Sequence, residues 1–477
     1  MLFNTWQYFF FLPAAVLGFY LTPARWRWLW LVLVSSFFLA FAHLGFWMVA
    51  AGITGVTWFT GRFMHRARWL VWAGISFNVS TLVFFKYHYL LPRLGISLGE
   101  VLGVASPLGG LDYLLPLGIS YYVFQAVGYL LELKRGSYGP ERHPGRFAAY
   151  LLFFPKLLAG PIERAHNFLP QLRKPPAELE YGNLRMGFRL VLWGLFKKLC
   201  VADRLDPVTE QIFYFTGDFH GFGVLLGIIL YPIQLYADFS AYTDIAIGSA
   251  RLMGLRLSPN FDRPFEARNV TGFWRRWHIS LSSWVNDYLY TPLSLRFTME
   301  WRLGRAGVWL ALIISFVILG MWHGANYTFL VFGALQGVAL AIETMLTSTR
   351  ARYRSAVGAS LARLTGMVLT FAFFAFSCVF FRAGSLENAF AMLGNIPRTT
   401  AFHSAFFQQH YHFDQFGVTS IFVVLFLWAD HLVFRQGFDK WAGTQGLITR
   451  WIVYAVLLFC IFCLSGVEPG AFVYNQF

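Results

Sequence analysis

Residues 306–346 read AGVWLALIISFVILGMWHGANYTFLVFGALQGVALAIETML. Two apolar runs, 306–322 and 326–346, flank the short polar passage Gly320-Met-Trp-His-Gly-Ala-Asn326. Each run approaches the roughly 20 residues that an α-helix needs to cross a bilayer. The pair therefore reads as two helices in apolar surroundings, with a histidine at their junction. An ionisable side chain there is costly unless it faces the bundle interior or water, which makes His323 a functional candidate. Gly320 and Gly324 bracket it and permit close approach of a substrate or another helix. A Trp-His belt at the membrane surface is the competing reading. Asn326 is a further polar candidate in this passage.

The rest of the chain agrees with these two runs. Of 477 residues, 57% are hydrophobic and only 13% are charged, about half the charge of a soluble protein. Mean hydropathy is +0.53. Apolar runs fall at about 6–21, 28–43, 46–61, 69–85, 111–132, 147–160, 186–200, 222–237, 306–322, 326–346, 361–381, 416–434 and 450–466. One span plus its loop takes about 30–40 residues, so this length accommodates roughly 10–13 spans. Several runs are short, so some are expected to be tilted, re-entrant or interfacial.

The net charge of +15 does not indicate nucleic acid. Its arginines and lysines cluster between apolar runs, at 25–27, 62–68, 134–146 and 350–363, as the positive-inside rule expects of cytoplasmic loops. The rule places the N-terminus outside and 251–276, 296–305, 348–363 and 435–450 inside. It leaves the His-containing segment 382–415 facing out, towards a periplasmic partner. No basic stretch precedes the first run, which reads as an uncleaved span. The four cysteines sit in or beside apolar runs and read as packing residues.

The middle third, about 150–325, mixes proline, glycine and charge with apolar residues, as in FPKLLAGPIER at 154–164. Irregular backbone at membrane depth is tolerated only inside protein or along a cavity, so a site is expected here. Within it, Trp274, Trp277, His278, Leu281, Trp284, Val285 and Tyr288 share one helical face. Arg275, Arg276, Ser282, Ser283, Asn286 and Asp287 share the other. That pattern predicts one amphipathic helix over 274–290, in the interface or lining a groove. His278 points with the tryptophans, as a core histidine or a functional one. Arg275 and Arg276 suit lipid phosphate or structural contact. Asp238 and Asp244 lie beside an apolar run within YADFSAYTDIAIG, 236–248. They either form a structural polar network or orient a histidine or substrate hydroxyl.

Phosphate-loop, HExxH and GxSxG signatures are absent. Two histidines alone make no metal site, and no bound cofactor or metal is expected. With no evident nucleophile, histidine is the natural general base for a hydroxyl.

Four motifs in order, FPKLLAGPIER (154–164), DFSAYTDIAIG (238–248), FWRRWHISLSSW (273–284) and GMWHGANYTF (320–329), resemble the membrane-bound O-acyltransferase family. The resemblance runs through about 110–345. The aromatic end FVYNQF (472–477) is similar to the bacterial branch that includes the alginate O-acetyltransferase membrane subunit. It implies an all-α polytopic bundle of about eleven spans, with interfacial and re-entrant helices around a central funnel or tunnel. The family's near-invariant histidine falls on His323, and this branch's second histidine on His278. The resemblance implies transfer of an acyl group, most often acetyl, from a cytoplasmic thioester such as acetyl-CoA. His323 would act as base or support transfer through a short-lived acyl intermediate, and His278 would position a reactant or stabilise charge. A periplasmic partner protein would complete O-acetylation of an exopolysaccharide. Related acceptors are peptidoglycan, cellulose and teichoic acid, the last taking D-alanine. A polysaccharide exporter without chemistry is the alternative of another class. The chain reads as one integral domain of a bacterial inner membrane: spans in 1–135, a catalytic core in 147–346 and spans in 361–477.

Overall fold

The computed structural model describes residues 3–87, 116–175, 178–215, 217, 219–398 and 413–464. Every regular element among them is helical, as the hydropathy pattern requires. Among the described residues eight helices are long and apolar enough to cross a membrane, and two shorter apolar helices, Trp6–Leu21 and Leu447–Cys463, accompany them. Large apolar side chains such as Trp72, Phe77, Val79 and Val83 stay exposed on one of these helices. On helices long enough to span a bilayer, such a surface suits lipid. The chain is therefore a multi-pass membrane protein. Histidines 403, 410 and 412 of the segment expected to face out, and the aromatic end, lie outside the described residues.

The residues divide into two compact units, 1–184 with 249–258, and 185–248 with 259–477. The first contains α1 (Trp6–Leu21), α2 (Arg27–Ala42), α3 (Leu44–Phe63), α4 (Trp69–Tyr87), α5 (Ile119–Arg135), α6 (Pro144–Leu151) and α7 (Ala165–Arg173). The apolar run 147–160 is not one helix. It breaks after Leu151 and restarts as the single turn Phe154–Leu157. Pro155 has no N–H to continue a helix, and the Phe154 N–H donates instead to Ser35 Oγ at 3.0 Å. The buried Lys156 donates to Gln125 and lies 4.1 Å from the Tyr150 ring. Glu163 accepts from the Ser258 N–H and hydroxyl, both at 2.9 Å. A β-carbon on Gly118 would fall 1.9 Å from the Leu157 carbonyl oxygen, and its φ is +71°, so only glycine fits.

The second unit is built on α8 (Tyr181–Phe196), a π-helical turn (Lys197–Ala202), α9 (Asp203–Tyr214) and α10 (Phe222–Leu252). The sequence pattern ends the apolar run that begins at 222 near 237. The helix α10 instead runs on to Leu252, 31 residues in all, carrying Asp238 and Asp244 within it. Charge pairing explains the extension. Lys198 Nζ lies 2.7 Å from both Asp203 and Asp238, and Lys197 Nζ lies 2.8 Å from Asp244.

Next come α11 (Val270–Trp274), α12 (Ile279–Val285), α13 (Gly304–His323), α14 (Tyr327–Met345), α15 (Thr347–Val357) and α16 (Ala359–Arg382). Helices α13 and α14 meet almost backbone to backbone. A β-carbon on Gly320 would lie 2.3 Å from the Phe329 carbonyl oxygen and 3.0 Å from Gly333 Cα. The short α11 is tied to α14 at two levels. Glu343 accepts from the Val270 and Thr271 N–H groups at 2.7 and 3.0 Å. Two turns away, the Trp274 indole donates to Gln336 at 3.1 Å, and Gln336 donates to Ser377 of α16 at 2.7 Å.

Candidate active site

His323 is the last residue of α13 and is buried. Its ring packs beside Trp322 and Phe381, with centroids 4.6 and 4.9 Å away. The GMWHGAN passage thus ends one span and opens the next, and Asn326 caps α14 by accepting from the Thr328 N–H at 3.3 Å. Its amide also donates to the Gly384 carbonyl at 2.6 Å.

The expected single helix over 274–290 does not form. Helix α11 ends at Trp274, α12 starts at Ile279, and a π-helical turn covers Asn286–Tyr290. His278 sits at the break with φ +44°, a left-handed conformation that costs a non-glycine residue about 1–3 kcal/mol. The expected burial survives the break in part, with Trp284 and Tyr288 only half-buried. Trp274, Trp277, His278, Leu281 and Val285 are buried, whereas Arg275, Ser283, Asn286 and Asp287 are exposed.

Asn260 imposes this geometry, and the sequence carried no signal for it. Its carbonyl accepts from the Ile279 N–H at 2.8 Å. Its side-chain Oδ1 lies 3.2 Å from the Ser280 N–H, 2.9 Å from the Ser280 hydroxyl and 3.0 Å from His278 Nδ1. The backbone N–H can only donate, which identifies that amide atom as the oxygen. Nδ1 is then the nitrogen that donates, and the lone pair resides on Nε2. Phe239 covers the ring edge-on at 4.7 Å. Burial pushes the imidazolium pKa down to about 3, so His278 is neutral.

The two histidines line one cavity, together with Leu235, Trp274, Leu281, Phe374, Cys378 and Phe381. Its volume is about 10 Å³, room for about one water. Apolar walls around two imidazoles exclude bulk water and strengthen polar interactions within. The other candidates do not face this cavity. Arg276 donates to the Asp262 carbonyl at 3.0 Å, and the Asn286 amide donates to Asp287 at 3.1 Å. Asp238 and Asp244 belong to the lysine network, where Lys197 also donates to Ser240 at 2.8 Å. The sequence reading missed Lys197 and Lys198. Two adjacent lysines in an apolar run near two aspartates were the available signal. Among the described residues no cluster of three or more His, Cys, Asp or Glu could hold a metal.

Apolar helices thus enclose a cavity lined by two histidines, and the chain as a whole is similar to known proteins. Residues 142–384 match the membrane-bound O-acyltransferase family, MBOAT. A probable alginate O-acetylase of Azotobacter vinelandii is 34% identical, covering 80% of this chain and 75% of its own. The peptidoglycan O-acetyltransferase of Helicobacter pylori is 32% identical over 82% of this chain and 79% of its own. A teichoic acid D-alanyltransferase of Bacillus subtilis is 28% identical over 56% of this chain and 68% of its own. The chain belongs to the membrane-bound O-acyltransferase family and is an acyltransferase.

Proposed function

We propose that the protein transfers an acetyl group from a cytoplasmic thioester, acetyl-CoA in the simplest case, for O-acetylation of an exopolysaccharide such as alginate. The observation that carries this reading is the shared cavity of His278 and His323 in a chain of this family. His323 takes the proton of the acceptor hydroxyl as its oxygen attacks the thioester carbonyl. The carbon–sulfur bond breaks, and the departing thiolate takes up the proton. His278 is neutral with its lone pair on Nε2, so it positions a reactant by accepting a hydrogen bond. Stabilising negative charge would need a protonated ring, which burial opposes.

The reading extends to a single inner-membrane domain with about eleven spans around a central funnel, and to a periplasmic partner that completes modification. Its support is the positive-inside pattern and the similarity to a probable alginate O-acetylase. The comparable likeness to a peptidoglycan O-acetyltransferase favours peptidoglycan as a second acceptor. An exporter without chemistry has no support among these relatives.

The test is reconstitution in liposomes with labelled acetyl-CoA and candidate partners or acceptors. Label moving to an alginate-system partner supports the reading, and label moving only to peptidoglycan fragments supports the second. His323→Ala, folded and membrane-inserted, is expected to lose transfer. A near wild-type rate would remove His323 from the mechanism.

A further inference from the structure

A thioester carbonyl attacked by a hydroxyl passes through a tetrahedral state whose oxygen carries negative charge. A dry site stabilises that charge with a hydrogen-bond donor already in place. His278 is not that donor, because its Nδ1–H is held by Asn260 at 3.0 Å and its Nε2 accepts. The Trp274 indole is also engaged, by Gln336 at 3.1 Å.

Tyr231 of α10 carries a donor with no other use. The residue is fully buried, and among the described residues its hydroxyl makes no hydrogen bond. Buried hydroxyls nearly always find a partner, so one left without invites a functional account. Leu235, one turn on along the same face of α10, lines the histidine cavity. Across from it on α16, Cys378 lines the cavity too, and Arg382 follows one turn further along that face. Cys378 and Arg382 both lie close enough to act electrostatically on the Tyr231 hydroxyl. The phenol thus reaches from α10 towards α16 at the edge of the cavity.

The charge around this hydroxyl is positive on balance. Arg382 is half-buried and, among the described residues, makes no ion pair or hydrogen bond. Asp206 and Asp238 also act on the phenol. Gln234 already donates to Asp206 at 2.6 Å, and Lys198 pairs with Asp238 at 2.7 Å. Arg382 is next in sequence to Phe381, whose ring packs on His323 at 4.9 Å.

We propose that Tyr231 is a further catalytic residue, the donor that holds the oxyanion of acyl transfer, with Arg382 as the positive charge behind it. The acceptor oxygen bonds to the carbonyl carbon, and the carbonyl π pair moves onto its oxygen, which accepts from the Tyr231 hydroxyl. As the carbonyl reforms, the carbon–sulfur bond breaks and the thiolate takes the proton held by His323. The phenol keeps its own proton throughout. This inference rests on the thioester reaction proposed above and adds the group that stabilises its charge.

Tyr231→Phe in the full chain, reconstituted in liposomes with labelled acetyl-CoA and the acceptor, is the test. Loss of one oxyanion donor is expected to lower kcat about a hundredfold, with KM for acetyl-CoA unchanged. The thermal midpoint should stay level or rise, because the variant deletes a buried hydroxyl that has no partner. A packing role predicts no such split between rate and stability. Arg382→Gln is expected to lower kcat less, and Arg382→Lys to restore part of the loss. Wild-type kcat in Tyr231→Phe would overturn the assignment and leave the acyl-transfer reading intact. A raised KM at unchanged kcat would make Tyr231 a binding residue and overturn it as well. No transfer by the wild type from any thioester would overturn the proposed function itself, and this inference with it.

Discussion

Replacing Asn260 with alanine removes one oxygen that accepts from His278 Nδ1, the Ser280 N–H and the Ser280 hydroxyl at 3.0, 3.2 and 2.9 Å. The hydroxyl can rotate towards another acceptor, whereas the imidazole and backbone N–H groups cannot. Each buried donor left without a partner costs about 1–3 kcal/mol. The left-handed backbone at His278 stores a further 1–3 kcal/mol or so, which those bonds hold in place. Two such donors make the expected loss roughly 2–6 kcal/mol, unless the chain releases that strain by turning His278 out of the cavity. In that case stability recovers and transfer fails. Thermal unfolding in detergent and acetyl-transfer rates in liposomes distinguish the two responses. Asn260→Asp adds the decisive readout. It keeps the acceptor oxygen but puts a carboxylate beside Nδ1–H, which favours the imidazolium. The acid limb of the pH–rate profile should move to higher pH, a shift that a purely structural residue would not produce. Wild-type stability and rate in N260A, or an unmoved profile in a folded and active N260D, would refute the positioning role.

Three further outcomes follow from the same geometry. Lys198→Met leaves Asp203 and Asp238 buried without their shared cation and should destabilise by about 3–5 kcal/mol. Adding Asp238→Asn should recover part of the lost thermal midpoint, and an unchanged midpoint in the single variant would contradict the network. The pKa of His278 is depressed to about 3 from near 6.5 in an unfolded chain, so between those values the unfolded state binds the extra proton. Its contribution to stability is complete above about pH 6.5 and falls by about 1.4 kcal/mol per pH unit below it. His278→Gln should flatten the acid-side stability slope measured by thermal unfolding. Gly320→Ala places a methyl group where the Phe329 carbonyl oxygen stands 2.3 Å away. Pushing α13 from α14 should cost about 1–3 kcal/mol and lower transfer, and an unaffected variant would show that the contact is soft.

The local sequence alone settled what depends on composition and short-range order. Apolar length makes membrane helices, because backbone polar groups must pair internally when lipid surrounds them. Ordered motifs placed His278 and His323 as candidates, and the burial alternation along 274–290 was legible even though the helix was not. Tertiary structure decided the rest. A period of apolar residues cannot reveal that Asn260, eighteen positions earlier, holds His278 in a left-handed turn. Nor can it reveal that Asp238 and Asp244 extend α10 by pairing with Lys198 and Lys197 across the packed interior. Pairings between distant segments depend on the partner's position in space, and hydropathy along one segment does not encode it. The histidine junction in 306–346 was visible from its neighbours in the chain. Its cavity exists only because α10, α11, α12, α14 and α16 converge on it.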